Sequence, residues 1–315
     1  MRYGLNFGIG AHEPLSKAVQ VAQEAEELGF DCMWLLDSPL VSKDFFVTAA
    51  LFAAHTSRIK IASGVTQPVT RHVSAVASSF AALKEASHER AIMGIGLGDS
   101  TVKAYGRKPA SVQQLEEFIT RFRGLVRGQR TPVDGREVYM GTHSGDIPIF
   151  VTAGGPKVAL VGARVADGCL GIVQPQRDAA EGYVARVREA LKAAGRPREG
   201  FTIDMWVRVA VDEDESKAIG DMRGAVAAGF RRDSQERERY DYAEHLSPRA
   251  VHAQAVPDEA VREGAIVGGP DKVVRALREL LSGLDVDRVT LTLPSRSRLE
   301  RLRLMGREVL PRLGL

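Results

Sequence analysis

The feature that most restricts this chain is a recurring order of short apolar segment, glycine-bounded loop and helical stretch, clearest between Ile59 and Ser100. Ile59-Lys60-Ile61-Ala62-Ser63 and Ala91-Ile92-Met93 are largely apolar and bounded by glycine, as parallel strands covered on both faces should be. Each leads into a loop at its C-terminal end: Gly64-Val65-Thr66 after the first, and Gly94-Ile95-Gly96-Leu97-Gly98-Asp99-Ser100 after the second. Parallel α/β folds, open or closed, hold their ligands at that end.

The same order runs along the chain. Tyr3–Gly8 reads as strand one, and Pro14–Leu28 as an amphipathic helix with Ala18, Val21, Ala22, Ala25 and Leu28 on one face, stopped by Gly29. Cys32–Leu36 is strand two, followed by Asp37-Ser38-Pro39 and a helix from Asp44 to His55. Pro148–Val151, Cys169–Ile172, Ile203–Val211 and Arg288–Leu293 supply strands five to eight, with helices starting at Pro156 and spanning Glu181–Ala194 and Asp271–Leu281. A long connection after Ser100 holds a helix over Val112–Arg127 and a turn at Asp134-Gly135 suited to a small hairpin. A second connection, Asp212–Gly264, is polar and Arg-rich; its basic series Arg231–Arg239 alternates with acids, as a solvated helix face does. The expectation is one closed (β/α)8 TIM barrel over residues 1–315, with right-handed crossovers and insertions after strands four and seven.

The 43 basic and 40 acidic residues are spread evenly and leave a formal charge of +3, too balanced for a nucleic-acid groove but compatible with acidic small ligands. Cys32 and Cys169 lie in apolar strand-like runs without the spacing of a zinc site or redox pair, and read as small buried hydrophobes. The N-terminus lacks a charged region followed by an apolar core, and no apolar run reaches membrane-spanning length, so a cytoplasmic location is expected.

Four groups of residues could carry chemistry. Gly154-Gly155-Pro156-Lys157 places two glycines and a helix-starting proline before a lysine, so free backbone N–H groups and an ammonium favour a phosphate there. The chain supplies a control in Gly268-Gly269-Pro270-Asp271, where the acid satisfies the helix dipole and would repel phosphate. Gly94-x-Gly96-x-Gly98 does not have the dinucleotide spacing; it either lets a flat ring approach the backbone, with Asp99 and Ser100 at the rim, or simply makes a turn. Asp37 and Ser38 either position a ligand and exchange a proton or form the turn into the next helix. His12 and Glu13 follow strand one as candidate substrate contacts, while His72 reads as a capping or packing histidine.

Taken together, these residues resemble the luciferase-like flavin-dependent oxidoreductase family, especially its branch similar to methylenetetrahydromethanopterin reductase. The resemblance covers nearly the whole chain and rests on residues 63–72, Gly94-Ile95-Gly96-Leu97-Gly98-Asp99-Ser100, and Ala153-Gly154-Gly155-Pro156-Lys157 followed by Ala166-Asp167-Gly168. It implies a barrel binding FMN or an F-420 type deazaflavin at the strands' C-terminal ends, and a non-proline cis peptide between Gly64 and Val65 behind the ring. It further implies cofactor contacts from Gly64, Val65, Thr66, Gly96, Asp99, Ser100, Ala153, Gly154, Gly155, Pro156 and Lys157.

Many members of the deazaflavin branch carry a histidine after the acid ending strand two, whereas Asp37 is followed here by Ser38. Reduced FMN, oxygenating or reducing a small organic substrate, is therefore the first expectation; a deazaflavin-dependent hydride-transfer reductase and a non-catalytic flavin-binding barrel are the alternatives. The partners expected are a small-molecule substrate, a separate flavin reductase and a second copy of the chain, with no nucleic acid or membrane. The Ala-rich helices after strands two and three would form the dimer face.

Overall fold

Short strands buried on both faces need helices outside them and filling between them, and both are present. In the computed structural model, which describes residues 1–7, 13–227, 251–294 and 298–314, eight parallel strands close on themselves. They are β1 (Arg2–Phe7), β2 (Cys32–Leu35), β3 (Lys60–Ser63), β4 (Ala91–Ile95), β7 (Ile149–Thr152), β8 (Gly168–Ile172), β9 (Thr202–Val211) and β11 (Arg288–Thr292). Each pairs with the next, and β11 pairs with β1 through Arg288 opposite Arg2 and Thr292 opposite Asn6. This is the (β/α)8 barrel expected from the sequence.

Outside lie α1 (Leu15–Glu27), α2 (Phe45–His55), α3 (Val73–Ala86), α5 (Val112–Val126), α6 (Pro156–Val165), α7 (Arg177–Ala193) and α11 (Pro270–Leu281). Local chemistry fixes their starts. The Asp44 carboxylate accepts from Val47 N at 3.1 Å, and Ser111 and Gln114 form a reciprocal capping box at α5. Alternation then sorts each strand: Ile203, Met205, Val207 and Val209 of β9 face the helices, while Cys32, Trp34, Ala62, Ile92, Phe150, Leu170 and Trp206 fill the barrel.

At the N-terminal end the barrel is closed by charge. Arg288, 1% exposed, donates to Asp31 and, at 3.3 Å, to Asp204, whose other oxygen accepts from Thr290 at 2.8 Å. Burial pushes the Asp204 carboxyl up to about 6 against the pull of Arg288 and Thr290. Burial likewise pushes the Cys32 and Cys169 thiols up to about 12, in keeping with their reading as inert packing residues.

Both insertions form. After β4 comes α4 (Ser100–Ala104), then α5 and a hairpin of β5 (Thr131–Val133) and β6 (Arg136–Val138), whose turn residues Asp134 and Gly135 both have positive φ. Beyond the helix expected over Val112–Arg127, the connection holds the short α4, with Asp99 at its N-cap position paired with Lys103 one turn on. After β9 come α8 (Glu215–Ala227), α9 (Val251–Gln254), α10 (Asp258–Gly264) and β10 (Ile266–Gly268), which pairs in parallel with the C-terminal end of β9, Ile266 opposite Val209. The basic series Arg231–Arg239 lies outside the described residues. The chain continues after β11 into α12 (Arg298–Leu304). Among the described residues no helix is long and apolar enough to cross a membrane.

Candidate active site at the C-terminal mouth

The floor of the mouth is built by β3. The Gly64–Val65 peptide is cis, Gly64 N donates to Leu35 O at 2.6 Å, and Thr66 bridges to β4 by Thr66 N to Gly94 O at 2.9 Å and Gly96 N to Thr66 O at 3.0 Å. A Cβ on Gly64 would stand 3.0 Å from the Trp206 indole and from Trp34 Cβ and 3.3 Å from Asn6 Nδ2, so two tryptophan side chains and an amide converge on this glycine. The indole centroids are 5.3 Å apart, and Phe150 meets Trp34 edge-on at 5.5 Å. Gly94 and Gly96 are occupied from within: added Cβ atoms would lie 2.2 Å from Ser63 O and 2.6 Å from Thr152 Oγ1. These two glycines serve close strand packing, which is neither of the two readings, ring approach or simple turn, that the sequence offers for them.

Asp37, expected as a ligand-positioning or proton-exchanging group, is 3% exposed and engaged by the protein itself. Thr66 Oγ1 donates to its Oδ2 at 2.7 Å, and Arg71 Nη2 donates to its Oδ1 at 3.1 Å and to Asp44 Oδ2 at 2.7 Å. Burial alone would depress the Arg71 guanidinium, but Asp37 and Asp44 more than offset it and hold it above its ordinary value. The cluster ties the loop after β2 to the loop after β3. Ser38 is partly buried, and its carbonyl accepts from Val41 N and Ser42 N, forming the turn toward α2.

At the next sector, Ala153 N donates to Leu170 O at 2.8 Å and Ala153 O accepts from Arg186, which fixes the end of β7. Gly154 and Gly155 then open the chain: a Cβ on either would meet nothing within 4 Å. Gly155 is the N-cap residue of α6 with no side-chain cap, Pro156 follows at the first helical position, and Lys157 is exposed with no carboxylate partner among the described residues. The second Gly-Gly-Pro differs in surroundings as well as sequence. A Cβ on Gly269 would approach Glu213 Oε2 at 3.1 Å, Glu215 holds Lys272 at 2.7 Å, and Asp271 is paired with Arg312.

The remaining candidates are placed less centrally. Asp99 is exposed and ion-paired with Lys103, and Ser100 begins α4. Glu13 accepts from the buried Arg298 at 3.0 Å, so its carboxylate is held by α12. His12 lies outside the described residues. His72 caps α3 as expected, its ring accepting from Ser74 N, with Nε2 2.9 Å from Asp134.

One residue was missed. In Thr202-Ile203-Asp204-Met205-Trp206-Val207-Arg208, alternation puts Asp204, Trp206 and Arg208 on the inward face, so Arg208 stands above Trp206 at the mouth. The signal was legible as three inward positions carrying an acid, an indole and a guanidinium in an otherwise apolar strand.

The family model for luciferase-like monooxygenase matches residues 3–288. The chain belongs to that family. It is 29% identical over a 332-residue alignment to 5,10-methylenetetrahydromethanopterin reductase of Methanolobus tindarius, covering 98% of this chain and 100% of the relative. It is 28% identical to F420-dependent glucose-6-phosphate dehydrogenase of Kineococcus radiotolerans, covering 66% of this chain and 67% of the relative. The solved coenzyme F420-dependent tetrahydromethanopterin reductase of Methanopyrus kandleri superimposes with a TM-score of 0.79 at 25% identity, covering 98% of each chain. These relatives are oxidoreductases, and the present chain is an oxidoreductase of the luciferase-like family.

A planar cofactor with an anionic tail fits what is present. An uncapped helix start, open space above two glycines and an ammonium without a carboxylate partner among the described residues suit a phosphate. A backbone floor over two indoles, continuous with that helix start around the rim, suits a ring.

Proposed function

We propose that this protein is a deazaflavin-dependent oxidoreductase that transfers hydride to or from a small organic substrate over the Gly64–Val65 floor. The observation that carries this reading is the end-to-end similarity to methylenetetrahydromethanopterin reductases, one of which is described as coenzyme F420 dependent. It moves the weight from FMN, which the Ser38 departure had favoured, to the deazaflavin alternative. When bound, a deazaflavin supplies a two-electron hydride couple that does not activate oxygen.

The protein's part is binding and orientation. Backbone N–H groups at the start of α6 and the Lys157 ammonium hold the phosphate; Gly64 and Val65 support the ring; Trp34 and Trp206 keep water from beneath it. The Asp37–Thr66–Arg71 cluster keeps the supporting loop in shape.

Tryptophan quenching titrations with the deazaflavin and with FMN test this. The deazaflavin should bind more tightly than FMN, and Lys157→Glu should weaken it roughly five- to tenfold, since an attractive charge at a helix start becomes repulsive. Asp271→Lys at the second Gly-Gly-Pro should leave binding alone. FMN binding without deazaflavin binding would return the site to flavin oxygenation, and parent-like affinity in Lys157→Glu at moderate salt would remove the phosphate from α6.

A further inference from the structure

The mouth has two unlike halves. From β3 through β7 it is largely backbone and small side chains: Gly64, Val65, Gly96, Thr152 and Gly154. Across the barrel stand Ile172 of β8, Arg208 of β9, Thr292 of β11 and Asn6 of β1. Register places Trp206 opposite Ile172, Arg208 opposite Thr292, and Thr292 opposite Asn6, so these residues form a continuous arc.

Three properties of that arc point to a ligand. Arg208 is partly buried and has neither a carboxylate nor a hydrogen-bond acceptor among the described residues; burial lowers its affinity for the proton and no described neighbour offsets this. The Thr292 hydroxyl oxygen is buried without a hydrogen-bond partner among the described residues. Ile172, on the inward face beside Trp206, is 56% exposed and so offers an apolar surface to the mouth. A partly buried cation with no ionic partner among the described residues and a buried hydroxyl without a partner there are both stabilised when a ligand completes them.

We propose that Arg208 is a specificity-determining residue that anchors a carboxylate on the substrate, with the Thr292 hydroxyl as second donor and Ile172 and Trp206 receiving the substrate's apolar body. The proposal deepens the hydride-transfer reading and rests on it for calling this half of the mouth the substrate side. A carboxylate matches better than a phosphate because one guanidinium and one neutral hydroxyl balance a single negative charge. The planar fork of arginine also suits a planar carboxylate held by two parallel hydrogen bonds. Such an anchor orients the substrate over the floor without approaching the helix start at Gly154 and Gly155.

The chain's two tryptophans, Trp34 and Trp206, both lie in the mouth floor, so intrinsic emission reports directly on this site. Cofactor-free protein is titrated with benzoate, its neutral isostere benzamide, and phenyl phosphate, and separately with the deazaflavin. Benzoate should give a saturable change in the parent; Arg208→Met should raise its dissociation constant about tenfold or more, as loss of a charged hydrogen-bond donor does. Arg208→Lys, which keeps the charge and loses the fork, should fall between them. Benzamide should not distinguish these variants, and deazaflavin affinity should stay within about twofold, since Arg208 lies across the mouth from α6.

A benzoate response absent in the parent, or equal in parent and Arg208→Met, overturns the anchor. Tighter parent binding of phenyl phosphate than of benzoate overturns the carboxylate assignment, and a parallel loss of deazaflavin binding in Arg208→Met assigns the guanidinium to the cofactor instead. Parent protein that takes benzoate through Arg208 but no deazaflavin upholds the anchor while sinking the cofactor reading alone. If Arg208→Met does not fold, Arg208→Lys and Thr292→Val carry the same comparison, each expected to weaken benzoate and not benzamide.

Discussion

Replacing Arg71 by Met tests whether the Asp37 cluster is the clamp between the two loops. The Arg71 side chain is 24% exposed, Asp37 1% and Asp44 42%, so the guanidinium spans from a dry carboxylate to a wet one. At the observed 3.1 Å to Asp37, and with an effective dielectric constant of about 20, the gross attraction is about 5 kcal/mol. Much of that offsets desolvation, but removing only the cation leaves a buried carboxylate held by Thr66 alone, a change that costs about 3–5 kcal/mol at fully buried sites. Because Arg71 keeps partial contact with solvent, the expected loss is about 2–3 kcal/mol. Asp37→Asn in the Arg71→Met background should cost little more, since no unpaired charge then remains, giving a coupling energy of about 1.5 kcal/mol or more. Asp44→Asn should cost under about 1 kcal/mol, because that pair is exposed and asparagine still caps α2. Urea unfolding at neutral pH, read by tryptophan emission, gives all four values. Strict additivity of Arg71→Met and Asp37→Asn, or a loss below about 0.5 kcal/mol for Arg71→Met, would refute the clamp.

Two further outcomes are expected. Gly94→Ala would push a methyl to 2.2 Å from Ser63 O and 2.7 Å from Trp34 Cζ3, so it should destabilise by more than about 3 kcal/mol or fail to fold. Gly154→Ala meets open space and should change stability by less than about 0.5 kcal/mol, and thermal melts showing the two variants alike would contradict the packing account. We also propose a homodimer through the outer faces of α2 and α3, where Ala50, Ala54, Ala75, Ser78 and Ala82 are exposed beside Val47 at 56%. Light scattering should show a dimer that Ala75→Arg weakens, whereas a parent that stays monomeric at every concentration would end that proposal.

Strand number and order were legible because each barrel strand is a short apolar run closed by glycine or a polar turn, a pattern set by burial on both faces. The unequal helix starts were legible too, since Lys157 and Asp271 differ in sign at the same helical position; Glu213 and Glu215, brought in by the strand-seven insertion, only sharpen the contrast. The fate of Asp37 was not legible. Its partners Thr66 and Arg71 belong to the next βα unit, and nothing local distinguishes a carboxylate awaiting a ligand from one completed across about thirty residues of chain. Arg208 was legible only in part: alternation along β9 shows that it lies on the inward face with Asp204 and Trp206, but not which group it meets there. Its neighbours Val207 and Val209 are apolar and outward-facing, and the closure of β9 against β11 adds that Thr292 stands opposite it.

The proposed assignment divides the mouth into a backbone cradle and a side-chain arc. Where the support is backbone, as at Gly64, Val65, Gly154 and Gly155, side-chain substitution elsewhere should leave it in place. In this chain that arc comes from the inward positions of β8, β9 and β11, and β9 is the strand with which the large insertion pairs through β10. The Arg208 guanidinium therefore sits on the strand that pairs with the insertion, apart from the proposed cradle at Gly64 and Gly154. Arg208 substitutions should accordingly move substrate preference with little effect on the Gly64–Val65 floor, whereas substitutions in the Asp37–Thr66–Arg71 clamp should disturb the floor first.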